Sequence, residues 1–413
     1  MIVVGYVVAI LLPLLFLYII YSQDLFGQGK FRIVLLSFGW GLAAFGGSYG
    51  LNLLIGDHLF PAVGLESPRY DLESYLLIAT LVAPIVEEVL KSLVLLFLGS
   101  QMTYFVDGAI YGFSSGIAFS ILENVVVYLP QASNARSGSQ ASALAVGALA
   151  LIRALSTCLM HGAASALVGT AIGRFRYGRG WRRVVSMIMG WVVAIGLHMG
   201  FNRLSASDPG FVVMLGALGI GIGGAILIVV FIRWGLREEK RWMEETLGLG
   251  VGVTDKEVSL LQKYEEIDDL LEPIWDRFGF AEEKIEEVAS FLLKQGQLGI
   301  KRKAYSMSLD PKEQQRLELE IATLRTEMEQ IRKDVGTYIM MCVRSVFPPE
   351  VVIDYAALQE KMVSREEFRA SGKATLDDRL AARLAEREER QEPSAGRISL
   401  WGDLGKPDGG DSE

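Results

Sequence analysis

The chain has 413 residues, 51% of them hydrophobic, with a formal net charge of −8. The charge is unevenly spread: residues 1–232 carry 12 Lys+Arg against 10 Asp+Glu, and residues 233–413 carry 28 against 38. This excludes an evenly soluble globular protein, and the acidic second half without a basic patch excludes a nucleic-acid binder. Cys158 lies in an apolar run and Cys342 in the charged half, so no disulfide framework is expected.

Seven apolar stretches are long enough to cross a bilayer, which takes about 20 residues. They are 2–21, 33–55, 74–99, 108–129, 143–173, 184–203 and 210–232. The first has no basic start and no small-x-small cleavage site, so it reads as a span and not as a signal peptide. The loop "GRFRYGRGWRR" (173–183) holds five arginines, and "RWGLREEKRW" (233–242) holds four basic residues. Positive loops face the cytoplasm, which puts the N-terminus outside and the C-terminal region inside. The acidic loop 56–73 then falls outside.

Within the third stretch, "APIVEEVLKSLVLLFL" (83–98) sets two adjacent glutamates and a lysine in an apolar helix. Ionisable groups inside a span are costly and usually face a functional cavity. Here they are Glu87, Glu88, Lys91, Glu123, Arg153, His161 and His198. Lys91 follows Glu87 by four residues, the favourable order for a helical ion pair. It is expected to hold Glu87 as a carboxylate and leave Glu88 free as general base and then acid. The two glutamates could also exchange roles.

The fourth span carries a stripe of small residues every four positions: Gly108, Gly112, Gly116, Ser120 and Asn124, with Glu123 beside it. The fifth repeats it with Arg153, Thr157, His161, Ser165, Gly169 and Gly173, and the sixth with Gly190, Ala194, His198 and Asn202. Such stripes let helices approach closely, so the three spans are expected to pack together with their polar groups inward. Glu123 and His198 lie six residues from the outer ends of their spans, about 9 Å along a helix. One site in the outer half of the bilayer is therefore expected, open to water from outside. Asn124 and Arg153 also have plainer readings, as an interhelical hydrogen-bonding group and a carboxylate's partner. "GFSSG" (112–116) matches a nucleophile elbow formally. That motif needs a strand–turn–helix, and these are packing residues in mid-span.

Residues 233–413 read as helical and non-catalytic, in two parts: a cytoplasmic helical domain to 363 and a charged helix with disordered tail over 364–413. "TDKE" (254–257) is a capping box opening a helix to about 271. Further helices are expected over 281–296 and from Pro311. Leu317, Ile321, Leu324, Met328, Ile331 and Val335 alternate four and three apart, the seam of a short coiled coil or of a helix packed in a local bundle. In the tail, "RISLWGDL" (397–404) is an apolar cluster that could dock elsewhere. A homo-oligomer or a cytoplasmic partner would bind through this region.

Four motifs together resemble the PrsW family of intramembrane proteases, within the CAAX-protease-like superfamily. They are "EEVLK" (87–91), "DGAIYGFSSGIAFSILENVVVY" (107–128), His161 followed by Gly169, and "HMGFN" (198–202). The resemblance covers about 75–203. It implies an all-α polytopic bundle that hydrolyses peptide bonds of membrane proteins, an anti-sigma-factor-like protein among the candidates, in a bacterial plasma membrane. It carries catalytic roles onto Glu87, Glu88, Glu123, His161 and His198. Where the wider superfamily often has His, this chain has Glu123. Two mechanisms fit. In one, Glu123, His161 and His198 hold Zn²⁺ with Glu88 as base. In the other no metal takes part, and Asn202 with a histidine steadies the oxyanion. Outside the resemblance, a proton- or ion-coupled transporter and a membrane sensor signalling through its cytoplasmic region remain the rival classes.

Overall fold

A computed structural model of the chain describes residues 2–24, 26, 30–134, 140–177, 181–207, 210–247, 282–336 and 339. Every regular element among them is helical, as a membrane interior demands of a single spanning segment. In chain order α1 is Ile2–Tyr21 and α2 is Phe31–Leu54, extended by a π-helical turn, Ile55–Leu59, and Phe60–Ala62. α3 runs Leu72–Leu77, a π-turn Ile78–Val82, then Ala83–Phe97. α4 runs Phe105–Leu122, a π-turn Glu123–Tyr128, then Leu129–Asn134. α5 runs Gln140–Arg153, a π-turn Ala154–Cys158, then Leu159–Phe175. α6 is Trp181–Ser205, α7 Phe211–Leu247, α8 Glu282–Met307 and α9 Pro311–Val335.

Among the described residues six helices are long and apolar enough to cross a membrane: those starting at Ile2, Phe31, Phe105, Val146, Val184 and Phe211. They match six of the seven predicted spans. The predicted third span is α3, a helix of comparable length, and Glu87, Glu88 and Lys91 keep it out of the apolar set.

The π-turns have a local cause. Proline has no N–H and its ring crowds the preceding turn. Pro61, Pro84 and Pro130 each stand second in the α-helical stretch that follows a π-turn. In each case the residue before the proline reaches back five positions: Phe60 to the Ile55 carbonyl, Ala83 to Ile78, and Leu129 to Asn124. A proline inside a membrane helix is tolerated through such local adjustment. The fourth π-turn, Ala154–Cys158, has no proline after it in α5.

α4 is the central helix, with every residue from Phe105 to Ile121 buried. Its glycine stripe lies against α5. A Cβ on Gly108, Gly112 or Gly116 would stand 2.1, 2.3 or 2.2 Å from the carbonyl oxygens of Gly169, Ser165 and His161. α2 closes the other side through Gly41, whose Cβ would meet the Ser115 carbonyl at 2.2 Å. Gly190 of α6 faces Ala171 of α5. The stripes of the fourth, fifth and sixth spans thus do pack together. The serines of "GFSSG" fasten neighbours: Ser114 donates to the Val34 carbonyl and Ser115 to that of Lys91, each at 2.9 Å.

α7 runs on past residue 232 without a break. α8 and α9 form a hairpin, and the predicted seam is used inside it: Leu317, Ile321, Leu324, Met328 and Val335 are buried, with Lys294 of α8 paired to Glu327 of α9 at 2.6 Å. The hairpin meets the arginine-rich end of the bundle through Arg176–Glu313 at 2.5 Å, Lys301 to Thr103 at 3.3 Å and Gln297 to the Phe26 carbonyl at 2.8 Å. The chain divides into two compact units, Met1–Pro348 and Pro349–Glu413. The second unit, the predicted helix over 254–271, Cys342 and the cluster at 397–404 lie outside the described residues.

Candidate active site

The site is built from α3, α4, α5 and α6. On α3, Glu87, Glu88 and Lys91 all face the interior, because positions three and four apart share a face. Glu88 and Lys91 have no exposed surface, and His161 and His198 are each 1% exposed. These are among the most thoroughly buried ionisable groups of the protein, so their partners decide what they can do.

Lys91 does not hold Glu87. Its Nζ donates to Oε1 of Glu88 at 2.5 Å and lies 2.7 Å from Nδ1 of His161. The i,i+3 partner wins over the i,i+4 one because His161 on α5 draws the ammonium to that side. Glu88 Oε1 also lies 2.8 Å from Nδ1 of His198. A carboxylate accepts, so the His198 proton sits on Nδ1 and the other nitrogen, Nε2, is turned toward Oε2 of Glu87, 3.8 Å away. That Glu87 oxygen is buried and meets no hydrogen-bond partner. The glutamates therefore stand in the swapped arrangement: Glu88 is the tied one and Glu87 the open one.

Glu87, His161 and His198 each offer a ligand atom within 4.8 Å of the others, the one such group among the described residues. It shares His161 and His198 with the predicted set and has Glu87 in place of Glu123. Glu123 begins a π-turn and is taken up by Arg153, whose Nη2 donates to its Oε2 at 2.9 Å. The same oxygen lies 3.4 Å from Nε2 of His161. Glu123 is thus next to the cluster and outside it. The two imidazole rings stand edge to face, 4.6 Å apart, with Phe119 against His161 at 5.2 Å.

Asn124 and Asn202 both bond to neighbouring helices. Asn124 donates to Cys158 Sγ at 3.2 Å and accepts from Nε of Arg153. Asn202 donates to the Ala79 carbonyl at 2.8 Å, inside the π-turn of α3, so one of its two amide hydrogens is committed to a neighbouring helix. Two further residues, which no motif marks, support α3 beside the site. Ser92 donates to the Glu88 carbonyl at 2.5 Å, and Trp191 of α6 donates to Ser92 Oγ at the same distance. Pro84 and Pro130 were the readable sign that α3 and α4 are interrupted beside the site.

The donor set fits a divalent metal. It has two imidazoles and a carboxylate, the carboxylate oxygen is an orphan in a buried place, and one histidine is held by a second carboxylate through its far nitrogen, the usual support of a metal-bound histidine. No curated protein and no solved structure matches the chain. Residues 29–236, half of the chain, match the profile described as PrsW family intramembrane metalloprotease. The chain belongs to that family: it is an integral membrane peptidase that acts on membrane proteins in the bilayer.

Proposed function

We propose that the protein is a zinc-type intramembrane endopeptidase in which Glu87, His161 and His198 hold the metal and Glu123 handles the proton. The observation that carries this reading is the unpartnered Oε2 of Glu87 facing two imidazoles in the interior of the bundle. A bound divalent ion at such a place supplies Lewis acidity and a nucleophilic water at neutral pH. The chain's own groups do the rest. Glu88 orients His198, Lys91 fixes Glu88 and the near side of His161, and Glu123 takes a proton from water and returns it to the leaving amine. Glu123 is also the site residue with most surface, its side chain 15% exposed, as a group that meets water must be.

In the metal-free alternative Asn202 would steady the oxyanion. One of its two amide hydrogens goes to the Ala79 carbonyl, and the orphaned Glu87 oxygen beside two imidazoles favours the metal reading. We further propose a bacterial plasma membrane, the arginine-rich end and the α8–α9 hairpin in the cytoplasm, and cleavage in the outer half of the bilayer.

The test compares new protein N-termini in native membranes that carry the wild type or Glu87→Gln, with metal content measured on both purified proteins. New ends and about one metal ion per chain only in the wild type are expected. Identical termini, or a Glu87→Gln protein with full metal content, would overturn the reading.

A further inference from the structure

We propose that Arg153 is a positioning residue for hydrolysis: its guanidinium fork sets the Glu123 carboxylate against His161. This rests on the reading of Glu123 as the proton-transfer group. Arg153 is the last residue before the π-turn of α5. Its Nη2 donates to Oε2 of Glu123 at 2.9 Å, and that oxygen is the one 3.4 Å from Nε2 of His161. Its Nε donates to Oδ1 of Asn124, whose own amide is anchored on Cys158 Sγ at 3.2 Å. The guanidinium carbon lies 3.4 Å from the centre of the Tyr128 ring. A snorkelling arginine would send its head to the interface. This one is gripped on two edges and one face, and its side chain is only 13% exposed.

The grip comes from one short segment. Glu123, Asn124 and Tyr128 all belong to the π-turn of α4, a kind of interruption often found at functional sites. A planar fork can bind two consecutive side chains at fixed geometry, which an ammonium cannot. The site's other cation, Lys91, serves the opposite side of His161 at Nδ1. His161 therefore lies between two separately held carboxylates, Glu88 through Lys91 and Glu123 through Arg153. If Arg153 served only to neutralise charge, Lys could replace it. If it served only helix packing, its loss would lower stability and leave the turnover of folded protein intact.

The experiment uses the full chain in lipid nanodiscs, with fluorescently labelled casein as an unstructured polypeptide probe, and separates kcat from KM. Arg153→Met should lower kcat ~100-fold, the cost of misplacing a catalytic group by about 1 Å, with KM within about twofold. Arg153→Lys should recover roughly a tenth of the lost rate, since charge returns and the fork does not. Asn124→Ala touches the fork and not the reacting groups. It should lower kcat about threefold to tenfold and add nothing on top of Arg153→Met. Full rescue by Lys, a change confined to KM, additive losses in the double variant, or losses that track the unfolded fraction would each overturn the proposal. Full kcat in Glu123→Gln would instead overturn the parent reading. An inactive Glu123→Gln beside an active Arg153→Met would sink the positioning role alone.

Discussion

Gly116→Ala is the sharpest probe of how the fold sets the site. A Cβ at position 116 would sit 2.2 Å from the His161 carbonyl oxygen, and real Cβ atoms essentially never come within 3.0 Å. That oxygen is backbone and cannot swing aside, so α4 and α5 must part by about 0.8 Å at that rung. The rungs at Gly112 and Gly108 are equally tight, so the strain cannot be passed along the stripe. His161 rides on the displaced backbone, away from Lys91 at 2.7 Å and Glu123 at 3.4 Å. Overpacking of this kind costs ~1–3 kcal/mol, and a shift near 1 Å at the chemistry costs ~100-fold in rate. The assay is thermal unfolding in detergent together with cleavage in nanodiscs. Gly39→Ala is the control, because nothing lies within 4 Å of its Cβ position. Alanine there should be neutral or stabilising by up to ~1 kcal/mol. A folded Gly116→Ala that cleaves at the wild-type rate would refute the argument.

Lys91→Met removes the ammonium shared by Glu88 and His161 and leaves a buried carboxylate without its cation, so it should destabilise by ~3–5 kcal/mol in denaturant titration; a loss under about 1 kcal/mol would mean the pair is not buried as described. Asn202→Ala breaks one hydrogen bond to the π-turn of α3 and should cost ~1 kcal/mol with turnover falling only modestly; complete loss of turnover in folded protein would return the amide to the oxyanion role. The hairpin should respond to acid through Glu320. Burial opposes its charge, yet Lys301 at 2.7 Å, with Arg316 and Lys30, holds its pKa below the ordinary glutamate value of 4.5. A depressed folded pKa stabilises above the unfolded pKa, and that contribution is lost as pH falls through the folded one. Protection of the α8 amides from hydrogen exchange, relative to the intrinsic rate at each pH, should therefore fall below about pH 4.5, and Lys301→Met should blunt the effect; an unchanged pH response in Lys301→Met would refute the pairing.

Helix positions and the packing of α4 on α5 were legible because they depend on composition and on a spacing of four, both of which one sequence displays. The stripes at 108–124 and 153–173 led straight to the helix pair whose backbones nearly touch. Which glutamate would be tied was not legible. The spacing of Glu87, Glu88 and Lys91 allows either ion pair, and the choice is made by His161 and His198, residues 70 and more positions away. Nor could spacing assign Glu123. The π-turn starting there is set by Pro130 downstream, and Arg153 on another helix takes the carboxylate. The heptad-like seam at 317–335 was read correctly as apolar, but apolar spacing alone does not say whether a helix packs on its own neighbour or on another chain.

Three carboxylates, Glu87, Glu88 and Glu123, face two cations, Lys91 and Arg153, with both imidazoles counted neutral. Lys91 meets Glu88 and Arg153 meets Glu123, which leaves Glu87 as the surplus, the one with an orphaned buried oxygen. An unbalanced carboxylate at membrane depth is expensive, so a bound cation should stabilise the folded protein as well as serve its chemistry. Zinc at about 100 times its dissociation constant should stabilise the wild type by ~2.7 kcal/mol, read as a rise in melting temperature. Glu87→Gln removes the surplus charge and a ligand together. It should match or exceed the stability of the metal-stripped wild type and show no response to zinc. A Glu87→Gln protein less stable than the stripped wild type, or one that zinc still stabilises, would mean that the surplus charge is balanced elsewhere and that Glu87 does not hold the metal.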